Sequence, residues 1–192
     1  MKTSSGSESV RQHLNRFVIA TILAVGLLAV AWPAQATIVY HSADITINDG
    51  VYNLDLNGDG VTDFVILSET HTGGIFECPG GAFQETPASG NGVILGSLKS
   101  GEEIGPDQAF IGTLDVLAEY NAIFPICSRV HWGGLWVGGV TKGYLGMSFQ
   151  LNGETYYGWA QLTVPYHKIT GTLTGYAYEN TPGMPIKAGQ TK

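Results

Sequence analysis

Residues 144–164 read YLGMSFQLNGETYYGWAQLTV. At their centre lies Asn152-Gly153, a strong two-residue hairpin signal, because both central positions of a type I′ turn need positive φ. This turn pairs Leu151 with Glu154 and fixes which residues of the two strands share a face. One face then collects the apolar residues of both strands: Leu145, Met147, Phe149, Leu151, Tyr156, Ala160, Leu162 and Val164. An arbitrary register would not sort them in this way, so the segment predicts a hairpin with one buried face.

The opposite face of the hairpin carries Tyr144, Tyr157 and Trp159, and Tyr176 and Tyr178 share one face of the strand predicted at 171–179. If the two strands adjoin, these five rings form one aromatic strip. Such a strip could stack on sugar rings in a carbohydrate-binding module. The alternative is that a loop or a second sheet covers the rings as part of the core. The sequence leaves both interpretations open.

Outside the hairpin, strand signals are frequent and helix signals are scarce. Alternating or β-branched segments predict further strands in 37–47, 52–56, 63–69 and 92–97, in addition to 171–179. Gly- and Pro-containing segments predict long loops at 72–92, 100–108 and 128–143. Many short strands with abundant turn residues are typical of an all-β domain. We therefore expect an antiparallel β-sandwich, jelly-roll-like, with a β-barrel as the alternative.

Residues 55–63 read DLNGDGVTD, with Gly60 at the sharp turn of the loop. Oxygen atoms recur at the loop positions that bind Ca²⁺ in calcium loops: Asp55, Asn57, Asp59 and Asp63 through side chains, and Val61 through its carbonyl. The bidentate Glu of an EF-hand is replaced by Ile66, and strands rather than helices flank the loop. We expect a structural calcium ion bound at about 10⁻⁴–10⁻³ M. The alternative is an ordinary Asn/Asp/Gly turn.

The N-terminal segment has the three parts of a secretory signal peptide. Basic residues precede the apolar run 17–31, and Ala34-Gln35-Ala36 follows as a cleavage site. Residues 1–36 are therefore predicted as a signal peptide and 37–192 as a single β-rich domain that starts at Thr37. The protein is expected to be secreted, extracellular or periplasmic, and free of the membrane after cleavage. The alternative is an uncleaved membrane anchor.

Two cysteines, Cys78 and Cys127, lie in or beside predicted loops. In an oxidising compartment such a pair predicts one disulfide, which would hold those loops together. The alternative is a pair of buried free thiols. A CxxC redox pair is absent from the sequence.

Composition excludes several classes of function. The net charge is −7, which argues against a nucleic-acid partner, since phosphate binding needs a basic face. No GxSxG elbow, P-loop or zinc spacing of His and Cys is present. No catalytic residue is therefore assigned, although an unrecognised hydrolase stays open as an alternative.

Three segments together resemble a known group of proteins. They are YNLDLNGDGVTDF (52–64), the hairpin 144–164, and GTLTGYAYENTPGMPIKAGQ (171–190). Their order is similar to that of uncharacterised secreted bacterial β-rich proteins related to PEP-CTERM-type exported proteins. This chain departs from the tailed members, because it stops at Lys192 without a sorting helix. The resemblance implies secretion and β structure, and it brings no established activity.

These features together predict a secreted, non-enzymatic structural or interaction protein that a calcium ion and a disulfide stabilise. Its expected partner is a glycan or an extracellular protein. Two alternatives remain from the sequence: a carbohydrate-binding module that uses the aromatic face, and a secreted hydrolase.

Overall fold

The computed structural model of the protein describes residues 37–73, 78–123, 127 and 129–192. They lie within one compact unit, Gln35–Lys192. The predicted signal peptide, 1–36, falls outside the described residues. The part of the chain that the structure describes contains no helix with the length and apolarity needed to cross a bilayer.

The described residues are organised almost entirely as strands and turns. In chain order the strands are β1 (Ile38–Ile47), β2 (Gly50–Leu54), β3 (Phe64–Gly73), β4 (Cys78–Pro87), β5 (Gly92–Val93), β6 (Glu103–Ile104), β7 (Asp115–Ile123), β8 (Arg129–Gly133), β9 (Val140–Leu151), β10 (Glu154–Val164), β11 (Gly171–Glu179) and β12 (Ile186–Lys187).

Within the described residues, the strands form two five-stranded sheets and one small ribbon. Sheet I has the order β1-β11-β10-β9-β5, sheet II has the order β2-β3-β4-β7-β8, and β6 pairs with β12 in the ribbon. Every pairing is antiparallel. Neither large sheet closes into a barrel, and the architecture is that of a β-sandwich. The predicted all-β sandwich is therefore confirmed.

The predicted hairpin is β9–β10, and its register is confirmed. Leu151 pairs with Glu154, and Phe149 pairs with Tyr156. Both turn residues have positive φ, 54° at Asn152 and 80° at Gly153. The apolar face of the hairpin joins one core cluster with side chains of sheet II, including Leu54, Phe64, Ile66 and Phe83. The hydrophobic effect thus packs the two sheets face to face.

A second, smaller apolar cluster lies on the other face of sheet I. The ribbon contributes Ile104 and Ile186 to it, and the hairpin contributes Tyr144, Tyr157 and Trp159. The β6–β12 ribbon therefore covers part of the face that would otherwise be open to solvent.

All three of the predicted long loops contain strands. Segment 72–92 contains β4, segment 100–108 contains the short β6, and segment 128–143 contains β8. The Gly and Pro residues of these segments favoured the prediction of loops, because both residue types are uncommon in strand interiors. In β4, close neighbours leave no room for larger side chains. A Cβ added to Gly81 would lie 2.6 Å from Ile169 Cδ1, and one added to Gly80 would lie 2.6 Å from His71 Nε2.

Candidate functional site

The 55–63 loop connects β2 to β3 and is closed at its base by the backbone. The Asp63 N–H donates to the Leu54 carbonyl at 2.9 Å. Within the loop, Gly58 and Gly60 have φ values of 76° and 88°, a region that most side chains disfavour. The Gly residues thus allow the tight curl that brings the polar side chains back over the backbone.

The carboxylate of Asp55 organises this curl. Its Oδ1 accepts N–H groups from Gly58 at 2.7 Å and Asp59 at 3.2 Å, and its Oδ2 accepts the Gly60 N–H at 2.7 Å. Such side-chain-to-backbone bonds are the usual reason for Asp in turns. Asp55 therefore fixes the loop conformation through hydrogen bonds to the backbone of the same loop.

Asn57 and Asp59 continue the same pattern on the exposed side of the loop. The Asn57 Oδ1 accepts the Asp59 N–H at 3.0 Å, and the Asp59 Oδ1 accepts the Val61 N–H at 2.8 Å. The two side chains also touch, since Asn57 Nδ2 donates to Asp59 Oδ2 at 3.1 Å. These two predicted ligands are therefore adjacent.

Asp63 lies apart from these residues, in a buried position at the start of β3. Its Oδ2 accepts the Leu56 N–H at 2.8 Å, and Asn91 Nδ2 donates to its carbonyl at 3.1 Å. Burial raises the pKa of Asp63 above its ordinary value, and the charges of Asp55 and Asp59 raise it further. The three carboxylates therefore repel one another across the loop.

The predicted ligand set suits calcium in its chemistry, since its donors are hard oxygen atoms. Its geometry is more open than a coordination shell requires. Among the described residues, no three His, Cys, Asp or Glu side chains lie close enough together to hold a metal ion. Coordination by Asp55, Asp59 and Asp63 together would require these carboxylates to lie closer than they do here.

Three of the five predicted ligand-binding aromatics are buried beneath the ribbon. Tyr144, Tyr157 and Trp159 belong to the small cluster on the outer face of sheet I. Trp159 is only 2% exposed, and its Nε1 donates to the Gln190 carbonyl at 3.1 Å. The ring is therefore enclosed by the C-terminal segment and has no free face for a sugar.

The other two aromatics lie on the opposite side of sheet I, which corrects the prediction of one shared strip. Tyr178 belongs to the core between the sheets, and Tyr176 packs against that core. In the ladder between β10 and β11, Tyr176 pairs with Ala160 and Tyr178 pairs with Gly158, whereas Trp159 pairs with Ala177. Paired residues share a face, so the register between the two strands places both tyrosines opposite Trp159, and alternation within a single strand does not reveal that register.

The negative charge of Asp55 also acts on Tyr176 and Tyr178 at the edge of the core. Burial raises the pKa of Tyr176 and of Tyr178, and the Asp55 carboxylate adds to the rise in both. The negative potential of the acidic loop therefore extends to these two tyrosines at the β2–β3 end of the sandwich.

The structure assembles an aromatic stack that the sequence did not predict. The Trp132 and His167 rings are parallel within 3°, with centroids 4.7 Å apart, and Tyr166 lies 3.8 Å from His167. Tyr120 on β7 contacts Trp132 on β8 at 5.3 Å. The residues come from separate segments, so only the pairing of β7 with β8 and the position of the loop before β11 bring them together.

Two buried carboxylates inside sheet II were also not predicted from the sequence. Glu85 on β4 pairs directly with Asp115 on β7, and both are buried. Among the residues that the structure describes, neither Glu85 oxygen has a hydrogen-bond partner, nor does Asp115 Oδ2. Burial, with a contribution from the Asp115 charge, raises the pKa of Glu85 to about 9. The sequence carried one signal, since Glu85 alternates with the apolar Phe83 and Pro87.

The predicted disulfide is present. Cys78 and Cys127 are bonded, with Cα atoms 5.5 Å apart. The bond joins the start of β4 to the connection between β7 and β8, so it acts within sheet II. Disulfides persist in oxidising compartments, and this one indicates a non-cytoplasmic environment.

Comparison of the chain with protein-family models, with curated proteins and with solved structures finds no match in any of the three. The resemblance to secreted bacterial β-rich proteins therefore stays a prediction.

Proposed function

We propose that the protein is an exported, non-catalytic structural or interaction protein whose β-sandwich is stabilised by its disulfide and by calcium at the 55–63 loop. The observation that carries the proposal is the conformation of this loop. Backbone N–H groups bound to Asp55 hold the chain in a tight curl, and two further carboxylates lie within electrostatic reach. A divalent cation would relieve their mutual repulsion.

Several features of the loop favour calcium over an ordinary turn. Asp59 is exposed, so an incoming ion can reach its carboxylate from solvent. Carboxylate oxygens that already accept one N–H keep a further lone pair for a cation. The negative potential that reaches Tyr176 and Tyr178 would draw a cation to the same end of the molecule.

Two observations support the proposal over the alternative functions. The aromatic strip expected for a carbohydrate-binding module is divided between two faces of sheet I, and Trp159 is enclosed. The close carboxylate pair, Glu85 and Asp115, has raised pKa values as a hydrolase acid would. Both residues are nevertheless buried within the sandwich, where a substrate cannot contact them.

Thermal unfolding tests the calcium proposal directly. If the dissociation constant is about 1 mM, addition of about 10 mM calcium stabilises the folded state by about 1.4 kcal/mol. This corresponds to a rise of about 4 °C in melting temperature for a domain of this size. Scanning calorimetry with calcium, with magnesium and with a chelator would measure the rise.

A matched pair of substitutions locates the site. Asp59→Asn should abolish the calcium-dependent rise, whereas Asp107→Asn, the same change in another exposed loop, should leave it intact. Absence of a rise in the native protein would contradict calcium binding. A rise that persists in Asp59→Asn would contradict the assignment to this loop.

A further inference from the structure

Glu179, the last residue of β11, is a buried carboxylate with an incomplete set of partners. Its side chain is fully buried. Its Oε1 accepts the Thr37 N–H at 3.0 Å and the Thr181 N–H at 2.9 Å. Its Oε2 is buried and has no hydrogen-bond partner in the described part of the chain. A buried carboxylate in this condition is costly unless a positive charge neutralises it.

Thr37 is held firmly beside this carboxylate. The Asn180 N–H donates to the Thr37 carbonyl at 3.0 Å, and the next residue, Ile38, pairs with Glu179 in the β1–β11 ladder. The Thr37 nitrogen is therefore fixed within hydrogen-bond distance of the Glu179 side chain. In the full chain this nitrogen is a neutral amide with one proton to donate.

Thr37 is also the residue that follows the predicted cleavage site, Ala34-Gln35-Ala36. Hydrolysis of the Ala36–Thr37 peptide bond by an export peptidase adds one water molecule. The water oxygen goes to the Ala36 carbonyl carbon, which becomes a carboxylate. The Thr37 nitrogen becomes an ammonium with three protons and a positive charge.

We propose that the ammonium created at Thr37 by processing forms an ion pair with the buried carboxylate of Glu179. This proposal rests on the export proposed above. The ammonium keeps the bond to Oε1, has a proton to offer to Oε2, and neutralises the buried charge. Removal of the N-terminal segment therefore stabilises the mature sandwich by completing a site that the precursor leaves unfinished.

The test uses the full chain, expressed with residues 1–36 in a bacterial host, with the exported form purified. Intact-mass analysis should place Thr37 at the N-terminus. The α-amine is then blocked selectively, and the melting temperatures of free and blocked protein are compared. Blocking should lower the melting temperature by about 5 °C, because it leaves the buried Glu179 carboxylate without its counter-charge.

Two variants and a control make the comparison specific. In Glu179→Gln, blocking the amine should have no further effect, whereas in Glu154→Gln, an exposed position, it should act as in the native protein. Glu179→Gln could fail to fold. One Ser inserted between Ala36 and Thr37 therefore serves as a second variant, which moves the amine away and keeps Glu179. It should lower the melting temperature by a similar amount.

The outcomes separate this proposal from the export on which it rests. Cytoplasmic protein with Met1 intact would overturn both. Exported protein that begins at another residue would overturn the ion pair and leave export standing. Exported protein that begins at Thr37 but melts at the same temperature with a free or blocked amine would also overturn only the ion pair.

Discussion

Glu85 and Asp115 face each other across β4 and β7 inside the sandwich, and neither has a counter-charge among the contacts described. Burial favours the neutral form of each, so the pKa of both is raised. At neutral pH the folded protein therefore keeps a proton on Glu85 that the unfolded chain would release. This pair makes the stability of the protein depend on pH.

The direction of that dependence follows from the two pKa values of Glu85. Its pKa is about 9 in the folded protein against an ordinary value of 4.5, so the folded state binds more protons between these values. The free energy of unfolding should therefore fall as the pH rises from about 4.5 toward 9. Glu85→Gln, which resembles the neutral acid, should be more stable than the native protein at pH 8 by on the order of 3 kcal/mol.

Urea unfolding at pH 5 and pH 8, in the presence of a chelator, would measure this effect. The two proteins should have similar stability at pH 5, where Glu85 is protonated in the fold. Glu154→Gln at an exposed position serves as the control and should follow the native protein at both values. Equal stability of Glu85→Gln and native protein at pH 8 would be incompatible with a neutral, buried Glu85.

The β9–β10 hairpin is the element that the sequence predicts most completely. Its turn, Asn152-Gly153, has the positive φ angles of a type I′ turn, and its register places the apolar face toward sheet II. Local turn geometry and side-chain alternation agree here, so each reinforces the other. Loss of the turn geometry should therefore weaken the hairpin directly.

Gly153→Ala tests the turn without a steric complication. Nothing lies within 4 Å of a Cβ placed at Gly153, so the expected cost comes from its φ of 80° alone. That cost is about 1–2 kcal/mol for an L-residue in this region. Gly138→Ala is the matched control, since its Cβ also meets nothing within 4 Å and its φ is not in the positive range.

Chemical denaturation of both variants would give the two free energies. Gly138→Ala should be neutral or slightly stabilising, since Ala reduces the conformational freedom of the unfolded chain. Equal unfolding free energies for Gly153→Ala and Gly138→Ala would contradict the cost assigned here to an L-residue with positive φ at position 153.

At the largest scale, the described residues form two antiparallel five-stranded sheets that pack around the main core, with a disulfide within sheet II and a ribbon over sheet I. The disulfide closes a segment with a sequence separation of 49 residues. In the chain-entropy description, this restricts the unfolded ensemble and stabilises the fold by about 4 kcal/mol. The bond therefore matters for the whole chain, although it joins only two strand ends.

Cys78→Ser, Cys127→Ser and the double variant should each lose about 4 kcal/mol of unfolding free energy, because each removes the same bond. Urea denaturation would measure the loss, and reduction of the native protein should reproduce it. Additive losses in the double variant would indicate that the thiols act through packing. Unchanged stability in all three would exclude a stabilising bond.

Some features of the protein follow from sequence alone because their causes are local. The hairpin, the sandwich class and the 55–63 turn depend on alternation, turn residues and spacing within short segments. The pairing of Cys78 with Cys127 also followed, since two cysteines in an oxidising compartment allow only one intramolecular bond. These features can therefore be predicted from sequence patterns without knowledge of the tertiary structure.

The remaining features arise from neighbours that are distant in the chain. β4 is a strand despite Gly80 and Gly81, because side chains from β3, β7 and the loop before β11 fill the space beside them. The register between β10 and β11 pairs Tyr176 with Ala160 and Tyr178 with Gly158, which places both rings on the face opposite Trp159. Glu179 meets Thr37 only because β1 pairs with β11, across 142 residues of sequence. In each case the packing of remote segments sets the environment of the side chain. That packing cannot be inferred from the neighbouring sequence.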